Sequence, residues 1–345
     1  MNRFMTTLTT QVLSLHLRHT FTISRGSEDV ADTVLARLTA DGIEALGESA
    51  PISRYDEDVP GVARLLESLR LDRVDLRQLD TTLDLLPPHA HGARCALDLA
   101  LHDLEGKRLG VPVYELFGLD PTKTVETSFT IGIADLDKTI DKTKEASHFP
   151  ILKVKTGDGR EVETLSAIRS VYRGRIRLDA NEGWTPETAV AILKQLARFE
   201  IEFCEQPIAA GNPAGLRFVK ERSPVPIFVD EDSRTLADLA RLYGCVDGIN
   251  IKLVKCGGLR EAVRMIHAAR AMGMKIMIGC MIESSVLATA AAHITPLVDY
   301  ADLDGPLLIT DDPFEGVRYE GARLCLPDRP GLGVHARSNV AAPAP

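Results

Sequence analysis

From about residue 10 apolar side chains recur at strand spacing, with Val12, Leu13, Leu15 and Leu17 set among polar neighbours. The run leads to a Ser24-Arg25-Gly26-Ser27 turn and on to a second run over 30–38, so that 10–48 reads as strand, turn, strand. Residues 60–86 read as helix, with Leu65, Leu66, Leu69 and Leu71 among arginines and acids. A clearer helical period spans 93–106, where Leu97, Leu101 and Leu104 share a face and Gly106 ends the run. Strands followed by helices make this part an α+β unit.

After Pro121 the texture changes to short apolar strands alternating with amphipathic helices. Strands are expected at 127–133, 151–154, 176–178, 203–204, 227–229, 248–253, 275–278 and 300–303, with helices between them, as at 186–199 and 259–272. Eight strands about 25 residues apart indicate an α/β barrel, with a doubly wound sheet as the alternative. The tail from Glu320 is rich in Pro and Gly, and its Ala-Ala-Pro-Ala-Pro end is expected to fray.

The polar residues at the strand ends carry more. Lys155, Asp179, Glu205, Asp230 and Lys252 each end or follow an apolar strand, separated by 24, 26, 25 and 22 residues, one βα unit each time. That phase places them side by side at the C-terminal mouth of a barrel, where barrel active sites form. The same ladder takes in Thr130 one unit earlier and Cys280 and Asp302 beyond Lys252. Any one of them alone reads equally well as a surface ion-pair partner; five in phase do not.

Three adjacent carboxylates, Asp179, Glu205 and Asp230, are hard oxygen donors that suit Mg²⁺. Zinc would bring His or Cys into the set, and neither stands in phase. Without a cation the three would repel one another. Lysines on either side of such an ion acquire a chemical role. Lys155 and Lys252, from opposite sides of the mouth, would flank an α-carbon. One removes its proton and the other delivers a proton to the opposite face, through an enediolate. A lysine base must be neutral, which a nearby divalent cation and a second cationic side chain favour. Lys153, two residues from Lys155 and on the same strand face, can supply that push and contact a substrate carboxylate.

Composition removes other classes. A chain of 345 residues with 45% apolar and 26% charged residues is an ordinary globular sequence with room for a large and a smaller domain. The net charge of −9 argues against nucleic acid and anionic membrane partners. Six scattered cysteines without a CxxC pair point to reduced thiols and a cytoplasmic location.

These residues closely resemble the muconate-lactonizing subgroup of the enolase superfamily. The matching motifs are 152–155 (LKVK), 178–184 (LDANEGW), 204–207 (CEQP), 229–232 (VDED) and 250–258 (NIKLVKCGG). The resemblance covers nearly the whole chain. It implies a (β/α)7β TIM-like barrel with an N-terminal α+β capping domain, with bounds at 1–118 for the cap, 119–320 for the barrel and 321–345 for a segment returning to the cap. It also implies Mg²⁺ on Asp179, Glu205 and Asp230. The rival acids Glu231 and Asp232, and the rival base Lys255, fall off the family positions; Asp232 stands where serine is usual. Relatives often form symmetric assemblies, so a homo-oligomer is left open.

The scaffold supports several reactions, and the eighth strand discriminates among them. Asp302-Leu303-Asp304 looks like the dipeptide epimerases, whose paired aspartates hold the free α-ammonium; an Asp capping the next helix is the alternative. Cys280, Met281 and Ile282 match substrate-lining positions on the seventh strand, and Thr130 one on the first. The 21–27 loop resembles that of the Ala-Glu epimerases, in which an arginine, here Arg25, pairs with the terminal glutamate side chain. The second loop departs from close relatives, and Asp56, Glu57 and Asp58, if they face inward, would favour a cationic side chain instead. The resemblance thus implies a Mg²⁺-dependent isomerase that epimerises the C-terminal residue of a dipeptide, with L-Ala-D/L-Glu foremost. A muconate-type cycloisomerase or an o-succinylbenzoate synthase is the second class, and neither of those substrates has an ammonium for Asp302 and Asp304.

Overall fold

The structure, a computed structural model, describes residues 6–71 and 74–338. Its first part is an antiparallel sheet in the order β1 (Thr7–Ile23), β2 (Gly26–Ala40), β3 (Ile43–Ser49). The second expected strand is therefore two, folded back at Asp41-Gly42, where both residues have positive φ (54° and 79°). An Asp-Gly pair supplies the left-handed backbone that tight hairpins require. The expected helix over 60–86 is likewise two, Val59–Glu67 and Leu79–Leu83. The long helix His91–Leu109 lies so close on β3 that a Cβ on Gly47 would stand 1.9 Å from the carbonyl oxygen of Ala96. Val34, Ala36, Leu38, Ala45, Leu66, Leu97 and Leu101 are fully buried in the core between them.

The second part is a sheet of eight parallel strands in sequential order: β4 (Phe129–Ile131), β5 (Ile151–Lys155), β6 (Arg175–Asp179), β7 (Ile201–Glu205), β8 (Ile227–Val229), β9 (Gly248–Lys252), β10 (Lys275–Gly279) and β11 (Tyr300–Asp302). Helix lies between each consecutive pair, which is the (β/α)7β pattern. Strand register carries the polar ladder: Lys155 is opposite Asp179, Asp179 opposite Glu205, and Gly279 opposite both Lys252 and Asp302. Among the described residues no backbone ladder joins β11 to β4. Side chains close that seam, with Thr127 Oγ1 accepting from Leu303 N at 2.7 Å, Ser128 Oγ donating to Asp302 Oδ1 at 2.7 Å, and Asp304 Oδ2 accepting from Thr130 N at 2.6 Å.

Midway along the strands the barrel interior is filled by Phe203, Phe228 and Met277 beside the buried Arg177. Its guanidinium bonds Glu202 and the carbonyl of Ala301, both at 2.7 Å, and lies 5.3 and 5.1 Å from the ring centres of Phe203 and Tyr300. After β11 the chain returns to the long helix: Gly331 exchanges backbone bonds with Val111 and Val113, and Leu332 N donates to Asp103. The Ala-Ala-Pro-Ala-Pro end lies outside the described residues. No described helix is long and apolar enough to cross a membrane.

Candidate active site

The C-terminal strand ends surround a cleft of about 220 Å³ roofed by the β1–β2 turn and the 50–55 segment. Arg25, Thr130, Lys153, Lys155, Asp230, Lys252, Cys280, Met281, Ile282, Asp302 and Asp304 all line it. Asp179 and Glu205 are fully buried beneath. The residues picked out by spacing and those implied by the resemblance thus come together in one place.

Lys155 ends β5 and Lys252 ends β9, four places apart in the ring of eight, so their side chains enter from opposite sides. Lys155 Nζ is 2.7 Å from Asp179 Oδ2 and stands 5.8 Å over the Phe21 ring of the roof. Lys252 Nζ is 3.1 Å from Asp230 Oδ2. Between them Lys153 Nζ meets three carboxylates, Asp302 and Glu205 at 2.7 Å and Asp179 at 3.1 Å. Burial disfavours the charged form of Lys252, yet Asp230 more than offsets this and holds its pKa above the usual lysine range. Lys153 is likewise raised despite its burial, by Asp302, Glu205 and Asp179.

The carboxylates respond to the same field. Burial alone would raise Asp179 and Asp230, but lysines hold both below the ordinary aspartate value. Glu205 is pushed up, by burial and then by Asp179. Its Oε1 accepts from Asn250 at 2.6 Å, while its buried Oε2 has no hydrogen bond, the Lys153 contact lying off the line of one. Among the described residues no three acids are drawn tightly around a common point; lysine ammoniums stand among them instead. The donor set nevertheless fits a hard divalent cation. One ammonium already attracts oxygens of Asp179 and Glu205 to a single cationic position, Glu205 Oε2 has no hydrogen bond, and Glu205 is still raised by the charges of Asp179 and Asp230.

Asp302 and Asp304 share the seam side of the cleft. Burial and the neighbouring Asp302 push Asp304 up to about 7. Asp304 begins the short helix Gly305–Leu308 without a side-chain capping bond, so its carboxylate is not that helix's cap. Cys280 Sγ accepts from Gly305 N at 3.3 Å. The loop carrying Cys280, Met281 and Ile282 is held from outside the barrel. The fully buried Glu48 of β3 accepts from Ser284 N (3.0 Å), Ser284 Oγ (2.6 Å), Leu287 N (3.0 Å) and Thr33 Oγ1 (2.8 Å), capping the helix Ser285–His293 that follows the loop.

The acids of the second loop do not face the cleft. Asp58 caps the helix Val59–Glu67 through Gly61 N (2.6 Å), Glu57 accepts from Gly92 N (2.9 Å), and Asp56 is an exposed left-handed residue at φ 59°. The bonding needs of two helix N-termini claim Glu57 and Asp58. Asp232 is engaged by Gln206 Nε2 and Gly211 N, both at 2.9 Å, whereas Asp230 lines the cleft. Lys255 lies in a short helix, Leu253–Cys256, and its buried ammonium pairs with Asp230 and the carbonyl of Asn250. Sequence reasoning missed Asn250 and weighed Glu231 only as a rival ligand, although both sit within the motifs already singled out. Burial and Asp230 push Glu231 up to about 7.

Residues 5–118 match the family "Mandelate racemase / muconate lactonizing enzyme, N-terminal domain", and 135–340 match "Enolase C-terminal domain-like". The L-Ala-D/L-Glu epimerase of Bacteroides thetaiotaomicron is 41% identical over 93% of this chain and 85% of its own length. A substrate-liganded complex of the L-Ala-D/L-Glu epimerase from Bacillus subtilis superposes with a TM-score of 0.91 at 28% identity, covering 96% of this chain and 98% of that one. A dipeptide epimerase from Enterococcus faecalis, in complex with Mg and L-Leu-L-Tyr, gives a TM-score of 0.88 at 30% identity, covering 95% and 98%. The chain belongs to the mandelate racemase / muconate lactonizing enzyme family of the enolase superfamily.

Proposed function

We propose that this chain is a Mg²⁺-dependent dipeptide epimerase that inverts the α-carbon of the C-terminal residue by a 1,1-proton transfer, with L-Ala-D/L-Glu as its first substrate. The observation that carries the reading is the entry of Lys155 and Lys252 into one cleft from opposite sides, over the carboxylates of Asp179, Glu205 and Asp230. Those three acids would hold the ion, which, when bound, supplies the positive charge that makes a carbon acid of the substrate's α-position.

Each lysine works on one face. The amine that acts as base works in its neutral form, which a cation held by Asp179, Glu205 and Asp230 would favour. The amine on one side takes the α-proton, the substrate carboxylate carries the charge as an enediolate, and the ammonium on the other side returns a proton. Lys153 orients the substrate carboxylate from below. Asp302 and Asp304 accept hydrogen bonds from the α-ammonium, a group that muconate and o-succinylbenzoate-type substrates lack. Thr130, Cys280, Met281 and Ile282 shape the space between, and Arg25 at the roof offers a guanidinium to a glutamate side chain.

The similarity to the Bacteroides L-Ala-D/L-Glu epimerase and to the Mg- and dipeptide-bound Enterococcus enzyme supports this reading. The test is incubation of a dipeptide panel in D₂O with Mg²⁺, following mass gain at the C-terminal α-carbon. L-Ala-L-Glu should gain one deuterium and give its D-Glu epimer, and EDTA should stop both. No exchange in any Xaa-Xaa peptide with Mg²⁺ present would overturn the assignment.

A further inference from the structure

Both roof loops of the cleft end on one carboxylate. In the β1–β2 turn, Arg25 Nη1 donates to Glu182 Oε2 at 3.1 Å, to Glu231 Oε1 at 2.8 Å and to the carbonyl of Asn181 at 2.9 Å. In the loop after β3, Arg54 grips the same group with two bonds, Nε to Oε2 at 3.1 Å and Nη2 to Oε1 at 2.8 Å. Ala210 N adds a bond to Oε1 at 2.8 Å. The carboxylate is the fixed member of this cluster: the Glu182 side chain is 11% exposed, against 33% for Arg25 and 42% for Arg54.

Its backbone is fixed too. Asn181 and Glu182 are held at φ 42° and 70° in the loop after β6, with Glu182 N bonded to the carbonyl of Gln206 at 2.9 Å. Ser24 Oγ docks on the carbonyl of Asn181 at 2.9 Å. Without the Glu182 charge, Arg54 would lose both of its bonds, and Arg25 would keep only Glu231 and the carbonyl of Asn181 while facing a second guanidinium. With that charge, each loop is tied to the barrel rim, and Arg25 is held where it lines the cleft.

We infer that Glu182 is a positioning residue: one carboxylate anchors both roof loops and fixes Arg25, and so sets which C-terminal side chains the cleft accepts. Arg25 then meets a substrate carboxylate from a pre-set direction, by exchange with Glu231 or Glu182 rather than by search. Only the selectivity arm of this inference rests on the dipeptide reading.

The test is amide hydrogen exchange on the full chain, with steady-state kinetics alongside. In Glu182→Gln, exchange over 20–28 and 50–58 should speed up about tenfold while the barrel strands keep their protection. In Arg54→Ala, an exposed side chain whose loss leaves the barrel intact, only 50–58 should loosen. The double variant should exchange at 50–58 no faster than Glu182→Gln alone, because both changes break one contact. The kcat/KM ratio of L-Ala-L-Glu to L-Ala-L-Leu should fall about tenfold in Glu182→Gln, chiefly through KM. Unchanged protection of either loop in Glu182→Gln, or of 50–58 in Arg54→Ala if the first variant does not fold, overturns the inference. Loosened loops in a protein whose unmodified form turns over no dipeptide would uphold the anchor and sink the dipeptide reading instead.

Discussion

Replacing Lys155 with alanine removes the amine on one side of the cleft and leaves Lys252 on the other. A positioned base or acid contributes about 10²–10⁴ in rate, and inversion needs one amine on each face, so epimerisation should fall about a thousandfold in both directions, or roughly 4 kcal/mol of barrier. Exchange without inversion should survive, because the remaining lysine still reaches one face and can return a solvent deuteron to it. In D₂O, Lys155→Ala should therefore wash deuterium into one of L-Ala-L-Glu and L-Ala-D-Glu, and Lys252→Ala into the other. Proton NMR of the α-hydrogen reads all four combinations. Each lysine is paired to a different carboxylate, Asp179 at 2.7 Å or Asp230 at 3.1 Å, so its removal frees a metal-binding oxygen, and Mg²⁺ affinity by calorimetry should hold. Deuterium entering the same epimer in both variants, or inversion kept within tenfold in either, would refute the placement of the two amines on opposite faces.

Two further predictions concern the frame around the site. His293 is buried in the helix Ser285–His293 with Nε2 donating to the carbonyl of Leu332 at 3.1 Å, and burial lowers its pKa from 6.5 to about 4. Unfolding lets it take up a proton at higher pH, so its contribution is complete above about pH 6.5 and is lost as pH falls toward 4, about 3 kcal/mol in all. Urea unfolding of His293→Gln against the unmodified chain should show that much less acid sensitivity over this window; parallel curves would contradict it. Glu48→Gln places an amide among four donors and should lower stability by about 2–4 kcal/mol, with a rise in KM as the loop bearing Cys280 and Met281 loses its anchor. A loss below about 0.5 kcal/mol would show that the helix start does not depend on that charge.

The barrel and its site were legible because the physics that makes them is periodic. A polar residue at the end of each apolar strand, one βα unit apart, can be read without knowing any contact, and Lys155, Asp179, Glu205, Asp230 and Lys252 fell where the spacing put them. Asp41-Gly42 carried a hairpin signal that the apolar run around it obscured, so β2 and β3 were read as one strand. Contacts between distant segments left no such trace. Nothing in the pattern says that Glu48 of the first sheet caps a barrel helix 236 residues later. Nor does it say that Glu57 and Asp58 serve backbone amides instead of a ligand, since a solvated, a capping and a ligand-binding carboxylate look alike in one dimension. The Arg25–Glu182–Arg54 cluster was hidden for the same reason, its three members lying in three segments.

The seam between β11 and β4 has a mechanical consequence. Asp302 and Asp304 fasten the last stave of the cylinder to the first through Ser128 and the amide of Thr130, and they are also the groups we propose for the ligand's amino end. A variant that retunes recognition there also unzips a joint that, among the described residues, no main-chain rung backs up, so altered preference and a looser cylinder should arrive together. Compensating bonds along that joint, between the Thr127 and Leu303 neighbourhoods, are the natural partners for any redesign of this end of the cleft.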